Sequence, residues 1–380
     1  MDFRNFLETM VERNASDIYF TVESPPMYRI QGVVQPIGEP VFKPEDLETL
    51  AQSIMSERQW REFSEKMEMN LALSYPNLSR FRVNVFRQRG SVGMVVRKIN
   101  VKIATIDELG LPPILKEIVM TKRGLVLVVG ATGSGKSTSL AAMIDHRNSN
   151  VPGHIISVED PIEFVHRHKQ AIVNQREVGF DTHSFQDALK NAMRQAPDVI
   201  LIGEIRDSET METAITFADT GHLCLATLHS TNANQAFERM INFFPESRHA
   251  QIFLQLSLNL RSIISQRLVM GTDGFRLAAL EILMDTPRLK ELIKRGEVDT
   301  IKEAMEQGAH EGCQTFDMAL FDLYSEGRIS LDQALGNADS INNLRLKIKV
   351  SEVKESAATR RTELGGLRLE GVNPNRFGRI

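Results

Sequence analysis

Cysteine and tryptophan are scarce in this 380-residue chain, with two of the first and one of the second. Cys224 and Cys313 lie far apart and form no Cys-x-x-Cys, which argues against a zinc knuckle or a disulfide framework. Cys224 sits inside an apolar run and reads as a buried small hydrophobe. No stretch approaches the ~20 apolar residues that span a bilayer. The N-terminus, "MDFRNFLETMVERN", lacks the basic and apolar regions of a signal peptide. The expectation is a cytoplasmic protein whose membrane link is at most peripheral. Strong net charge is missing too: the total is −4, which excludes a generally basic nucleic-acid coat. That small sum hides an uneven distribution, because residues 345–380 carry +5 and the remainder −9.

The apolar share of 42% and the charged share of 25% are ordinary for a globular chain, and the length suits two or three units. Residues 1–105 read as a small α+β unit. Phe3, Phe6, Leu7, Met10 and Val11 share one helical face that ends near Asn14. "SDIYFTV" and "MYRIQGVVQPI" read as strands, and "PEDLETLAQSIMSERQWREFSEKME" as a helical stretch. "RFRVNVF" alternates strictly, and "RQRGSVG" turns it back into "MVVRKI" as a hairpin. From Met69 to Ile106 there is no acidic residue, while six arginines and lysines lie in the hairpin, with Lys102 beyond it. That pattern fits either a solvated face or a surface that meets anions, such as phosphates held by a neighbouring subunit.

Residues 106–121, with Pro112–Pro113, suit a linker closing into a short helix. Residues 122–285 alternate strands and helices, with apolar runs at 124–129, 154–158, 198–202 and 222–228, and "RLAALEILM" as a further strand. The pattern predicts an α/β domain around a mostly parallel sheet. Residues 286–345 read as a helical C-terminal region, and 346–380 as a basic, disordered tail.

"VLVVGATGSGKSTSL" matches the phosphate-binding P-loop at every fixed position, with a strand before it and a helix after it. Gly130, Ala131, Thr132, Gly133, Ser134 and Gly135 would turn backbone N–H groups onto the phosphates of a nucleoside triphosphate. Lys136 would reach the β- and γ-phosphates, Ser137 would ligate Mg²⁺, and Thr138 would assist at the α-phosphate. The next strand ends in "ISVEDPIEFVH", which puts Glu159, Asp160 and Glu163 at the sheet edge where ligands bind. A carboxylate there can orient or deprotonate the attacking water; Glu163 is the first choice and Glu159 the second. "PDVILIGEIRD" ends a buried strand at Glu204, the Walker B position, which would hold Mg²⁺. "GHLCLATLHST" puts His222 and His229 at opposite ends of one strand, roughly 23 Å apart. His229, on the P-loop side, is the candidate γ-phosphate sensor.

Taken together, these stretches resemble the secretion-type ATPases of type IV pili, specifically the twitching-motility PilT/PilU group. "GATGSGKST" is similar to its Walker A, "EDPIEFVH" to its Asp box, "DVILIGEIRD" to its Walker B and "GHLCLATLHSTNA" to its His box. "RFRVNVF" and "GAHEGCQTFDMAL" resemble further stretches. The likeness covers roughly residues 1–345, and the basic tail brings the chain nearest the PilU branch. The resemblance implies a PAS-like N-terminal domain, a RecA-like ATPase domain and a homohexamer that hydrolyses ATP with Mg²⁺. It further implies that N-terminal arginines reach the phosphates, with Arg80, Arg82 and Arg87 as the candidates. The implied partners are an inner-membrane platform protein of the pilus and a sister retraction ATPase, at the inner face of the cytoplasmic membrane. No four-cysteine zinc site of the assembly-type relatives is present, which favours retraction. "LKELIKRGE", Leu289 to Glu297, keeps the apolar positions of a retraction motif and changes the charged ones. Two rival readings stand beside this one: a RecA-like nucleic-acid translocase, and a non-catalytic ATP-binding adaptor of a sister motor. Nucleic acid is not expected as a partner, since the hairpin has few stacking aromatics beyond Phe81 and Phe86.

Overall fold

A strand that alternates apolar and polar residues needs only one covered face, and the stretch from Arg80 to Phe86 follows that rule. In the computed structural model, which describes residues 2–38, 41–75, 78–99 and 102–352, this stretch lies in a six-stranded sheet. The sheet comprises β1 (Asp17–Phe20), β2 (Met27–Ile30), β3 (Val33–Pro36), β4 (Glu68–Tyr75), β5 (Ser79–Gln88) and β6 (Ser91–Ile99). Its order is β3-β2-β1-β6-β5-β4, with every neighbour antiparallel. Phe81, Val83 and Val85 share a core with residues of α1 (Phe3–Glu12), α2 (Pro44–Ser53) and α3 (Glu57–Lys66).

Two expected elements are split. "MYRIQGVVQPI" is a hairpin rather than one strand, because Gln31 (φ 50) and Gly32 (φ 85) both turn left-handed between paired Ile30 and Val33. The long helical stretch breaks before Ser56, whose Oγ accepts from the Gln59 N–H while Gln59 Oε1 accepts from the Ser56 N–H. That capping box begins a new helix.

The second sheet is built from fully apolar runs. In chain order its region holds α4 (Ile114–Met120), β7 (Gly124–Val129), α5 (Lys136–Asn150), β8 (Gly153–Glu159) and β9 (Ala171–Glu177). Then come α6 (Phe185–Ala192), β10 (Val199–Ile202), α7 (Ser208–Asp219), β11 (Leu223–Leu228), α8 (Ala233–Asn242), α9 (His249–Asn259), β12 (Leu260–Met270) and β13 (Arg276–Met284). The order is β13-β12-β7-β11-β10-β8-β9, parallel throughout except for β13. Leu125, Leu127 and Val129 join one core, Val126 and Val128 the other, so both faces are covered. Such a sheet demands the unbroken apolar runs seen in the sequence. β9 and β12 escaped the sequence reading because polar residues interrupt them, as in "AIVNQRE" and "LRSIISQRLVM".

α10 (Pro287–Arg295), α11 (Ile301–Gln307), α12 (Phe316–Ser325) and α13 (Leu331–Gly336) form the C-terminal appendage. Arg267 of β12 lies 3.8 Å from the Phe316 ring centroid and 2.7 Å from Asp339. A further helix at 341–352 buries Leu344 and Ile348, so it overruns the tail expected from 346. The rest of that tail, 353–380, lies outside the described residues.

Candidate active site

The strand-to-helix turn after β7 depends on three glycines, Gly130 (φ 156), Gly133 (φ 78) and Gly135 (φ 87). A Cβ at Gly130 would collide with Ser134 Oγ and lie 2.7 Å from the Gln266 carbonyl oxygen, so the loop requires glycine there. Lys136 Nζ donates to the carbonyl oxygens of Gly130 (2.8 Å) and Ala131 (3.0 Å). Burial lowers its pKa, and the carboxylates of Glu204 and then Glu163 oppose that shift. The hydroxyl of Ser134 is buried without a partner among the described residues. An inward-turned loop at a helix N-terminus, with a lysine seated on its own carbonyls, has the chemistry of a phosphate cradle.

Thr132, Gly133, Gly135, Lys136, Ser137 and Thr138 line a cavity of about 550 Å³ together with Glu159, Glu163, Glu204 and His229. Ala131 and Ser134 line an adjoining one. The acids arrive from strand ends. Glu204, just beyond β10, has Oε1 3.1 Å from His229 Nε2 and Oε2 2.8 Å from Arg206 Nη2. Arg206 Nη1 is 3.6 Å from Asp160, so a chain of charges crosses the C-terminal ends of β8, β10 and β11. A Cβ at Gly203 would lie 3.0 Å from the Glu159 Cα, which explains how β8 and β10 converge there. Thr227 Oγ1 donates to the Gly203 carbonyl oxygen at 2.5 Å.

Glu159 and Glu163 differ in surroundings. Glu159 accepts from Ser157 Oγ (2.6 Å) and Gln175 Nε2 (3.1 Å), and burial pushes its carboxyl above the ordinary range. Glu163 makes no side-chain hydrogen bond among the described residues and faces the cavity. His166, in the same acidic stretch, also lines the cavity; burial holds its pKa down at about 4, and its Nδ1 has no partner among the described residues. Sequence reading assigned it nothing.

The N-terminal arginines are elsewhere. Arg80 Nη2 is 3.4 Å from Glu177 at the end of β9. Glu177 is buried, which raises its pKa against the pull of Arg80 and then Arg82. Arg87 is 2.8 Å from Glu48 and its guanidinium lies over Phe63. The structure therefore does not bring Arg80, Arg82 or Arg87 to the cavity of their own chain. His222 lies at the far end of β11, where its Nδ1 meets Thr220 Oγ1 (3.1 Å) and the Phe217 carbonyl (3.2 Å).

Sequence reading missed β12, and it read β13 as a strand without giving its side chains a role. Gln266 Oε1 accepts from Ser139 Oγ of α5 at 2.7 Å. Glu281 Oε1 accepts from the Ala233 N–H (2.7 Å) and Ser265 Oγ (2.9 Å). Leu268 and Arg276 line the cavity. The available signal was polar residues inside otherwise apolar strands.

A family model described as "Type II/IV secretion system protein" matches residues 2–343. The chain is similar to the type IV pilus ATPase PilU of Pseudomonas aeruginosa, at 51% identity over 100% of this chain and 99% of that one. It is 42% identical to the type IV pilus retraction ATPase PilT of the same organism, over 88% of this chain and 97% of PilT. Among solved structures, that of the pilus retraction motor PilT with bound ADP aligns with a TM-score of 0.85 at 39% identity, covering 91% of this chain and 99% of the other.

Proposed function

The chain belongs to the type II/IV secretion system protein family, and on that premise we propose that it is an ATP-hydrolysing motor of the type IV pilus machine that powers or assists pilus retraction. The observation that carries the reading is the meeting of Lys136, Glu163, Glu204 and His229 around one cavity at the C-terminal edge of a parallel sheet.

ATP is the substrate. The loop from Gly130 to Thr138 receives its phosphates, and Lys136 exchanges the carbonyls of Gly130 and Ala131 for phosphate oxygens. Ser137 and Glu204 are the residues to hold Mg²⁺, which supplies charge neutralisation at the phosphates. Among the described residues no group of three or more His, Cys, Asp or Glu forms a metal cage. A hydroxyl and a carboxylate beside phosphates are instead the sparse donor set that suits Mg²⁺. Glu163 orients the attacking water and draws off its proton. His229, held by Glu204, reports the γ-phosphate.

The working form in this reading is a homohexamer, in which Arg80 leaves Glu177 and, with Arg82, serves a neighbouring subunit's nucleotide. Movement of the N-terminal unit against the ATPase domain acts on an inner-membrane platform protein at the cytoplasmic face, alongside a sister retraction ATPase. Among the described residues no helix is long and apolar enough to cross a membrane, and this reading takes the attachment as peripheral. In α10 the charges of "LKELIKRGE" point outward while Leu289 and Ile293 are buried, and that altered outer face suits an assisting role.

The test is a count of surface pili, with a surface-motility assay, in cells lacking the chain. Pili that persist or accumulate while movement fails support the reading; loss of pili would replace it with extension. Unchanged motility with Glu204→Ala would favour a non-catalytic adaptor, and DNA-stimulated turnover a nucleic-acid translocase.

A further inference from the structure

Glu163 lines the cavity without a side-chain hydrogen bond among the described residues, so its backbone must set its place. That backbone belongs to residues 160–170, the connection between β8 and β9, which is neither helix nor strand. A grip from outside the connection is therefore needed, and Gln175, inside β9, supplies one. Its Oε1 accepts from the His166 N–H at 2.8 Å, and its Nε2 donates to the Phe164 carbonyl oxygen at 2.9 Å. The same Nε2 donates to Glu159 Oε1 at 3.1 Å.

Each of these partners admits one orientation of the amide, because a peptide N–H only donates and a peptide carbonyl only accepts. A carboxylate in its place would bring no donor to Phe164, and an ammonium would bring no acceptor to His166. Phe164 and His166 are two residues apart, so the amide grips the connection much as a neighbouring strand would. Ser157, the register partner of Gln175 in β8, also donates to Glu159, at 2.6 Å. One side chain thus ties the end of β8 to the residues that follow Glu163. Both Phe164 and His166 line the cavity beside it.

The geometry points to Gln175 as a positioning residue for hydrolysis, acting through Glu163 by fixing the connection that aims this carboxylate at the attacking water. The inference rests on the ATPase reading, in which Glu163 draws off the proton. Steady-state ATP turnover of the full chain is measured for wild type, Gln175→Ala, Glu163→Gln and the double variant, with displacement of a fluorescent ATP analogue reporting binding. Gln175→Ala lowers kcat roughly tenfold to a hundredfold, the scale of a displaced reacting group. KM and analogue affinity stay within about twofold of wild type, since the phosphate loop is untouched. In the Glu163→Gln background the same change costs less than about twofold, because the group it positions is already gone. Equal losses in the two backgrounds would make Gln175 a structural residue and overturn the inference, as would wild-type kcat in Gln175→Ala. If Gln175→Ala loses its circular-dichroism spectrum, Gln175→Met decides: it keeps the volume, removes all three hydrogen bonds and is expected to show the same dependence on Glu163. Glu163→Gln alone tests the reading beneath: wild-type turnover there would discard Glu163 as the base, and the role of Gln175 with it.

Discussion

In the N-terminal sheet β5 buries Phe81, Val83 and Val85 and turns Arg80, Arg82 and Asn84 to a half-covered face, whereas β7 and β11 of the second sheet are buried at every residue. The first sheet spends its polar face on contacts with other surfaces, and Arg80 there is already engaged with Glu177. The second has no free face, so its chemistry is confined to the strand ends. Function in one sheet is a property of a side, and in the other of an edge. Substitutions should sort accordingly: edge changes act on turnover without touching the fold, and face changes act on assembly and on coupling between units.

The sharpest separation is expected at Lys136. Lys136→Ala should lower ATP turnover by on the order of a thousandfold, as loss of a preorganised charge at a phosphate does, while circular dichroism and melting temperature stay close to wild type. Next in size is the double change Arg80→Ala and Arg82→Ala, expected to cut turnover by about a hundredfold with hexamers retained on light scattering. Wild-type turnover there would confine those arginines to Glu177. Glu159 offers a smaller effect with a definite sign. Burial raises its pKa, so the folded chain keeps a proton that the unfolded chain releases. Stability then falls as pH rises from the ordinary carboxylate range towards the raised value. Relative to Glu159→Gln, which does not ionise, the wild-type melting temperature should decline as pH rises above the ordinary carboxylate range. A constant difference as pH rises would show that Glu159 is ionised in the fold as readily as out of it. The smallest effect belongs to Ala196, which sits at φ 48 before Pro197. Asparagine tolerates that left-handed geometry better than alanine, so Ala196→Asn should gain about 0.5–1 kcal/mol in chemical denaturation.

Edges were easier to read in the sequence than faces. The phosphate loop, Glu204 and His229 each follow an apolar run whose length and ending mark a buried parallel strand, so their convergence follows from topology alone. The N-terminal unit was legible where alternation was strict, in β5 and β6, and blurred where turn chemistry decided, at Gln31–Gly32 and at the Ser56 cap. β12 and β13 hid half of their contribution. Gln266 and Glu281 look like interruptions of a strand in one dimension, yet each satisfies a partner contributed by a distant segment, Ser139 and Ala233. Arg276 gives no local signal, because only the strand order carries it to the cavity beside the phosphate loop.

On β12, consecutive residues point to opposite faces, and two of them divide the molecule's loyalties. Gln266 holds the helix that begins with the phosphate loop, and Arg267 holds Phe316 and Asp339 of the appendage. One peptide plane thus ties the nucleotide end of the molecule to the C-terminal helices without an intervening loop.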